Sequence, residues 1–314
     1  MGVFMKDFKS VVLILGVIVT FVTVYLSTQT QNVQHKSTKP IVATSSYALY
    51  DIVTHIAKQK VSIVNILPFG VDAHSFEPTP RLMASLEKSS LVFYSGAGLE
   101  PWIDGFVFKA KAINMSKYVK LRKLNHADHH HHTEGEHLHN VDPHYWLDFE
   151  NMKKATKIVL DALVALDSVN KVFYERNAQK YIAMLENLDK SYTNGLKSCK
   201  KDVIITNHNA FSYLASRYGF HVEALSGLSP EAQPSAKQIQ KLMQHIKEYG
   251  LHTIFFESFV SDRVIKAIAT DSNVSVDTLQ PLGNITKDEY QKGMDYEKIM
   301  QQNLVKLQKA LECH

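Results

Sequence analysis

Three histidines stand where loops adjoin apolar runs: His74 in LPFGVDAHSFEPTP, His144 in VDPHYWLDFEN and His208 in DVIITNHNAFSYL. Neutral imidazole is a common protein ligand for transition metals, and three such donors gathered from separate loops can hold an ion in a tetrahedral shell. His74 follows the run VSIVNIL and precedes a helix expected to begin near Pro80, and His208 follows DVIIT and precedes another helical pattern. Both are strand-to-helix loops, and open α/β sheets bind ligands outside the carboxyl ends of their strands. Asp142 and Pro143 interrupt regular structure just before His144, while Trp146, Leu147 and Phe149 open a buried stretch after it. A ligating imidazole needs a partner for its other N–H, and Asp142, Asp148 and Glu257 are the candidates. Residue type alone does not separate a ligand from a hydrogen-bonded histidine, which is the reading given to His35, His55, His221, His245, His252 and His314.

A second histidine cluster differs in character. Seven of the chain's 16 histidines fall in NHADHHHHTEGEHLHN: His126, His129, His130, His131, His132, His137 and His139, interleaved with Asp128, Glu134 and Glu136. The stretch has no apolar periodicity and cannot supply a core, so it reads as a surface loop over 125–140 that binds several ions weakly, an auxiliary metal loop.

The elements that must place these residues alternate along the chain. Apolar runs IVATSS, VSIVNIL and SLVFYSG in the first half, and DVIITNH, HTIFFES and NVSVDTL in the second, read as strands separated by helical patterns. Phe149 to Ala165 reads as one helix and Val169 to about Ser198 as a longer one. Tyr181, Leu185, Leu188, Tyr192 and Leu196 recur on one face of the latter, and some thirty helical residues would reach on the order of 45 Å. The resulting division is 41–166 for an N-terminal α/β lobe, 167–198 for a connecting helix and 199–314 for a C-terminal α/β lobe. Ahead of these, a short basic region and the apolar run Val11–Leu26 read 1–27 as an export signal or an uncleaved membrane anchor, with 28–40 as a polar linker. Export implies a periplasmic location. In an oxidising compartment Cys199 and Cys313, the two cysteines of the chain, are a candidate disulfide, with two free thiols as the alternative.

With 45% apolar and 21% charged residues over 314 positions, the chain can bury a core, and a formal charge of +4 with interspersed signs excludes a nucleic-acid footprint. No H-E-x-x-H, G-x-S-x-G, P-loop or G-x-G-x-x-G motif accompanies the histidines, so nothing beyond a metal suggests an enzyme. A zinc-dependent hydrolase is nonetheless the alternative that three histidines and a water would allow.

The segments GVDAHSFEPTP, DPHYWLD, NHNAFSYLASRYGF, LSPEAQPSAKQIQ and IFFESF, in that order and flanking a histidine-rich loop, resemble the zinc-binding solute receptors of bacterial ABC importers, the ZnuA-like branch. The likeness runs from about Ile41 to the C-terminus. It implies two similar α/β lobes with mainly parallel sheets, joined by a long rigid helix, with the metal held in the interlobe cleft. It further implies His74, His144 and His208 as the ligands of Zn2+, an ABC permease and its ATPase as partners, and a monomer. In the related manganese receptors a carboxylate replaces the third histidine, so His208 points to zinc rather than to a manganese receptor of the same family. A water is expected as the fourth ligand, with Asp277 or Glu77 as the protein alternatives.

Overall fold

The computed structural model describes residues 39–123, 141–226, 235–257 and 263–314. The export segment, all of the linker except Lys39 and Pro40, and the seven histidines from His126 to His139 lie outside the described residues. Among the described residues no helix is long and apolar enough to cross a membrane.

Residues 40–314 form one unit built on two four-stranded sheets. The first consists of β1 (Ile41–Thr44), β2 (Ser62–Asn65), β3 (Leu91–Tyr94) and β4 (Lys111–Asn114), in the order β2-β1-β3-β4. The second consists of β7 (Val203–Thr206), β8 (His221–Ala224), β9 (Thr253–Phe256) and β10 (Ser275–Thr278), in the order β10-β9-β7-β8. Every pairing in both sheets is parallel. Replacing β1–β4 by β7–β10 in turn converts one order into the other, so the two lobes share one topology. In each, the chain turns first to one side of its opening strand and then to the other, which creates a switch point between β1 and β3 and between β7 and β9.

The six apolar runs are strands. Within the two four-stranded sheets, β4 and β8 are the strands that the hydrophobic pattern does not disclose; both are edges, as are β2 and β10. β4 carries Lys111 and Ala112 exposed and β8 carries His221 exposed, whereas all four residues of β7 are buried. An edge strand of a parallel sheet need not be apolar on both faces, and polar residues there discourage pairing with another chain. A short antiparallel pair, β5 (Arg122–Lys123) with β6 (Val141–Asp142), brackets the histidine-rich stretch in sequence.

The helices α1 (Tyr47–Ala57), α3 (Phe149–Leu166) and α9 (Tyr296–Ala310) pack on α4 (Lys171–Gly195); α2 (Pro80–Leu86), α5 (Ser212–Tyr218), α6 (Ala236–Glu248), α7 (Arg263–Ser272) and α8 (Lys287–Gln291) connect strands or loops. The connector α4 has 25 residues, about 37 Å of helix at 1.5 Å per residue. It is shorter than the expected 167–198. Asp167 accepts hydrogen bonds from Asn170 Nδ2 and Tyr174 Oη, both at 2.7 Å, and these hold Ser168–Asn170 in a 3-10 turn rather than in the helix. Tyr181, Leu185, Leu188, Tyr192 and Leu196 are all buried. The connector is one helix of a shared core rather than a bare strut. Tyr181 Oη donates to Asp51 Oδ2 in α1 at 2.7 Å, and Tyr192 Oη donates to Met300 O in α9 at 2.8 Å. The C-terminal helix also crosses to the first lobe, where Tyr296 N–H reaches Asp51 Oδ1 at 3.2 Å and Tyr296 Oη reaches Trp146 O at 2.6 Å. A single apolar cluster therefore includes residues from both lobes. Cys199 and Cys313 form a disulfide that closes a 114-residue separation.

Candidate metal centre

Local sequence sets each imidazole. The chain leaves β2 and turns at Pro68–Val71, where Val71 N–H donates to Pro68 O at 3.2 Å and Gly70 has a φ of 81°. Glycine adopts that left-handed backbone at no steric cost, which is why such a turn takes it at its third position. Three residues on, His74 N–H donates to Asp72 Oδ1 at 3.3 Å. His144 follows Asp142-Pro143. Asp142 Oδ1 accepts both the backbone N–H of His144 at 2.9 Å and its Nδ1 at 2.7 Å. The next residues, Tyr145, Trp146 and Leu147, are fully buried, and Trp146 Nε1 donates to Pro281 O at 2.6 Å, which anchors the turn in the core. His208 follows β7, and Thr206 Oγ1 donates to His208 O at 2.8 Å. Glu257, just after β9, lies with Oε1 against His208 Nδ1, close but off the line of a hydrogen bond, and it also accepts from Asn207 Nδ2 at 3.3 Å. His208 and Glu257 thus flank the switch point of the second sheet.

The three rings converge. His74 Nε2 is 3.2 Å and His208 Nε2 is 3.4 Å from His144 Nε2, and one nitrogen from each of the three lies within 4.8 Å of the others. A tetrahedral ion with bonds of about 2.0–2.1 Å to nitrogen sets its ligands roughly 3.3–3.4 Å apart. Because Asp142 Oδ1 accepts a hydrogen bond from the His144 Nδ1–H, that ring offers a lone pair at Nε2. His144 and His208 are each 2% exposed, as is Glu257, and Asp142 is 1% exposed. His74 is half-buried, and the crowding around its ring, followed by the neighbouring His144 and His208, holds its pKa well below the ordinary histidine value. The ring is therefore neutral and free to ligate near neutral pH. Two carboxylates buried behind imidazoles are costly on their own, and a divalent cation in front of those imidazoles offsets them.

The other expected residues separate clearly. Asp142 and Glu257 stand against the rings of His144 and His208, whereas Asp148 caps α3 by accepting from Glu150 and Asn151 N–H at 2.7 and 3.1 Å. Asp277 is engaged by Lys306 Nζ at 3.3 Å and does not line the cavity, and Glu77 is exposed and does not line it either. His55 Nδ1 hydrogen-bonds Asp51 O at 2.9 Å, as a hydrogen-bonding histidine does, while His245 and His252 lie 3.3 and 3.9 Å from the carboxylates of Glu223 and Glu312. The cavity is also lined by Trp146, Gly283 and Asn284, of which sequence reasoning gave no role to Gly283 or Asn284. Both sit in Leu279–Ile285, an irregular stretch with no motif signal, and only the crossing of that stretch between the lobes brings them to the site.

A family model described as zinc-uptake complex component A, periplasmic (ZnuA), matches residues 42–310. The chain belongs to this family. It is 34% identical over 283 residues to the high-affinity zinc uptake system protein ZnuA of Bacillus subtilis, covering 88% of this chain and 89% of that one. It is 30% identical over 279 residues to the zinc-binding lipoprotein AdcA of Streptococcus pneumoniae, covering 86% of this chain but 56% of AdcA; the chain thus spans little more than half of that longer relative. Among solved structures, the metal-dependent lipoprotein YcdH of B. subtilis superposes with a TM-score of 0.72 at 33% identity, covering 87% of this chain and 99% of that one. The Zn(II)-bound ZnuA-like domain of S. pneumoniae AdcA superposes with a TM-score of 0.73 at 28% identity, covering 87% and 99%. Membership of this family confirms the two-lobed architecture expected for it.

Proposed function

We propose that this protein is a zinc receptor, not an enzyme: it captures Zn2+ outside the cytoplasmic membrane through His74, His144 and His208 and delivers it to an ABC permease for uptake. The observation that carries the reading is the meeting of three Nε2 atoms, at 3.2 and 3.4 Å for the two pairs through His144, at the separation a tetrahedral zinc ion sets. The buried carboxylates of Asp142 and Glu257 behind two of the rings supply the balancing charge. Relatives named as zinc-uptake and zinc-binding proteins support the choice of metal. A third imidazole, where a harder ion would favour oxygen, argues against manganese, and no observation favours a hydrolase. Water fills the fourth position in this reading, since Asp277 is held by Lys306. The N-terminal segment exports the chain to the periplasm, the permease works with its ATPase, the receptor acts as a monomer, and the histidines from His126 to His139 collect ions nearby.

Zinc titration of three proteins tests the reading. The parent is expected to show one tight site and weaker ones, deletion of 126–139 to leave one tight site, and His208→Ala to lose it. Tight binding retained by His208→Ala and lost on the deletion would refute the assignment. Anomalous scattering at the zinc edge then reads the ion and its ligands together.

A further inference from the structure

The stretch Leu279–Ile285 leaves β10 in the second lobe and crosses to the first. Asn284 within it is 1% exposed and lines the same cavity as the three imidazoles. An asparagine carboxamide has two N–H donors, and here each is spent on a backbone carbonyl of the other lobe. Asn284 Nδ2 donates to Pro68 O at 2.6 Å and to Val71 O at 2.8 Å. Its Oδ1 accepts from Ile285 N–H at 2.9 Å, which fixes the side chain, and Ile285 O accepts from Gly70 N–H at 2.9 Å. Pro68 and Val71 are the two ends of the turn that launches the His74 loop. One side chain from the second lobe therefore grips both ends of that turn, and His74 stands three residues beyond the grip. His144 and His208 have carboxylates against their rings, whereas His74 is the half-buried ligand and depends on where its loop is held.

We propose that Asn284 is a positioning residue for His74: acting through the Pro68–Val71 turn, it sets from the second lobe where the first lobe's imidazole stands. The inference rests on the reading of His74 as a zinc ligand. It makes the approach of the lobes part of site assembly, and by linkage zinc loading must tighten the same latch.

The test uses the full chain. Asn284→Asp keeps the shape and the acceptor but sets carboxylate oxygen against two carbonyls, and Asn284→Ala removes the grip. Zinc affinity is measured by competition with a chromophoric chelator, with Tm recorded alongside, in the parent and in a His74→Ala background. Either variant is expected to weaken zinc binding by roughly 10-fold or more in the parent, as loss of outer support for a ligand does. It is expected to change affinity by less than about twofold once His74 is gone, because the two residues act as one unit. The visible spectrum of bound Co2+ is expected to shift with Asn284→Asp, which a general loss of stability does not produce. Parent-like affinity in a folded variant, or equal losses in both backgrounds, overturns the proposal. If neither variant folds, hydrogen exchange on the unaltered protein decides: zinc is expected to slow exchange at the Gly70 and Ile285 amides, and unchanged protection overturns it. If His74→Ala itself leaves zinc affinity unaltered, the ligand assignment has failed, a result separate from failure of Asn284 alone.

Discussion

Replacing Asp142 by asparagine isolates what a buried charge contributes behind the His144 ring, a zinc ligand in the proposed reading. Asp142 Oδ1 lies 2.7 Å from His144 Nδ1 and 2.9 Å from its backbone nitrogen, and Oδ2 accepts from Ser212 Oγ. Asparagine fits the same volume, its Oδ1 still accepts both N–H groups, and its Nδ2 can donate to the Ser212 hydroxyl. The variant thus keeps the orientation of His144 and the tautomer that bares Nε2, and it loses the negative charge that balances the ion. Support of this kind is worth about 10–100-fold in metal affinity. Because shape and hydrogen bonds survive, the lower end applies: about 10-fold, or about 1.4 kcal/mol. Asp142→Ala also frees the ring and leaves buried donors unpaired, so it is expected near the 100-fold end with a lowered Tm. Chelator competition at fixed pH and salt measures both, and the nitrogen shifts of His144 in an NMR spectrum report whether the tautomer is kept. If Asp142→Asn binds zinc as tightly as the parent while keeping that tautomer, charge behind His144 does not assist the ion and the electrostatic reasoning is wrong.

Four further outcomes are expected. His74 is held well below the ordinary value by burial and its two neighbours, so the unfolded chain takes up its proton first. Apo stability should be fullest above about pH 6.5 and fall as pH drops below it towards the lower folded value; Tm against pH for the parent and for His74→Asn should differ in slope in that window, and parallel curves would remove this contribution. Zinc affinity should fall over the same acid range as protons compete for the imidazoles, and a flat titration from pH 7 to 5 would contradict an all-histidine set. Cys199→Ser with Cys313→Ser opens a 114-residue closure and should cost up to about 4–5 kcal/mol of stability by the chain-entropy account, with zinc affinity little changed because neither cysteine lines the cavity; denaturant melts and a zinc titration read the two separately. Asp277→Asn should leave zinc affinity within about twofold of the parent, since that carboxylate faces Lys306; a large loss would make Asp277 the fourth ligand after all.

Sequence by itself determined the alternation of strands and helices, the buried face of the connecting helix and the three loop histidines, because these depend on local periodicity and on residue chemistry at strand ends. The same reading left β4 and β8 unseen, since KAIN and HVEA carry no apolar run like those that marked the other six strands of the two sheets, and it extended the connector past the Asp167 turn that side-chain hydrogen bonds impose. It named Asp142, Asp148 and Glu257 as equal candidates behind the ligands. Only the tertiary structure separates them, setting Asp142 and Glu257 at imidazoles and Asp148 at a helix start, because a carboxylate's role follows from which N–H groups the fold brings within reach. Convergence of His74, His144 and His208 is likewise a tertiary fact. The residues are 70 and 64 apart in sequence, and three imidazoles meet only because two sheets of one topology share a helical core and a crossing stretch ties one lobe to the other.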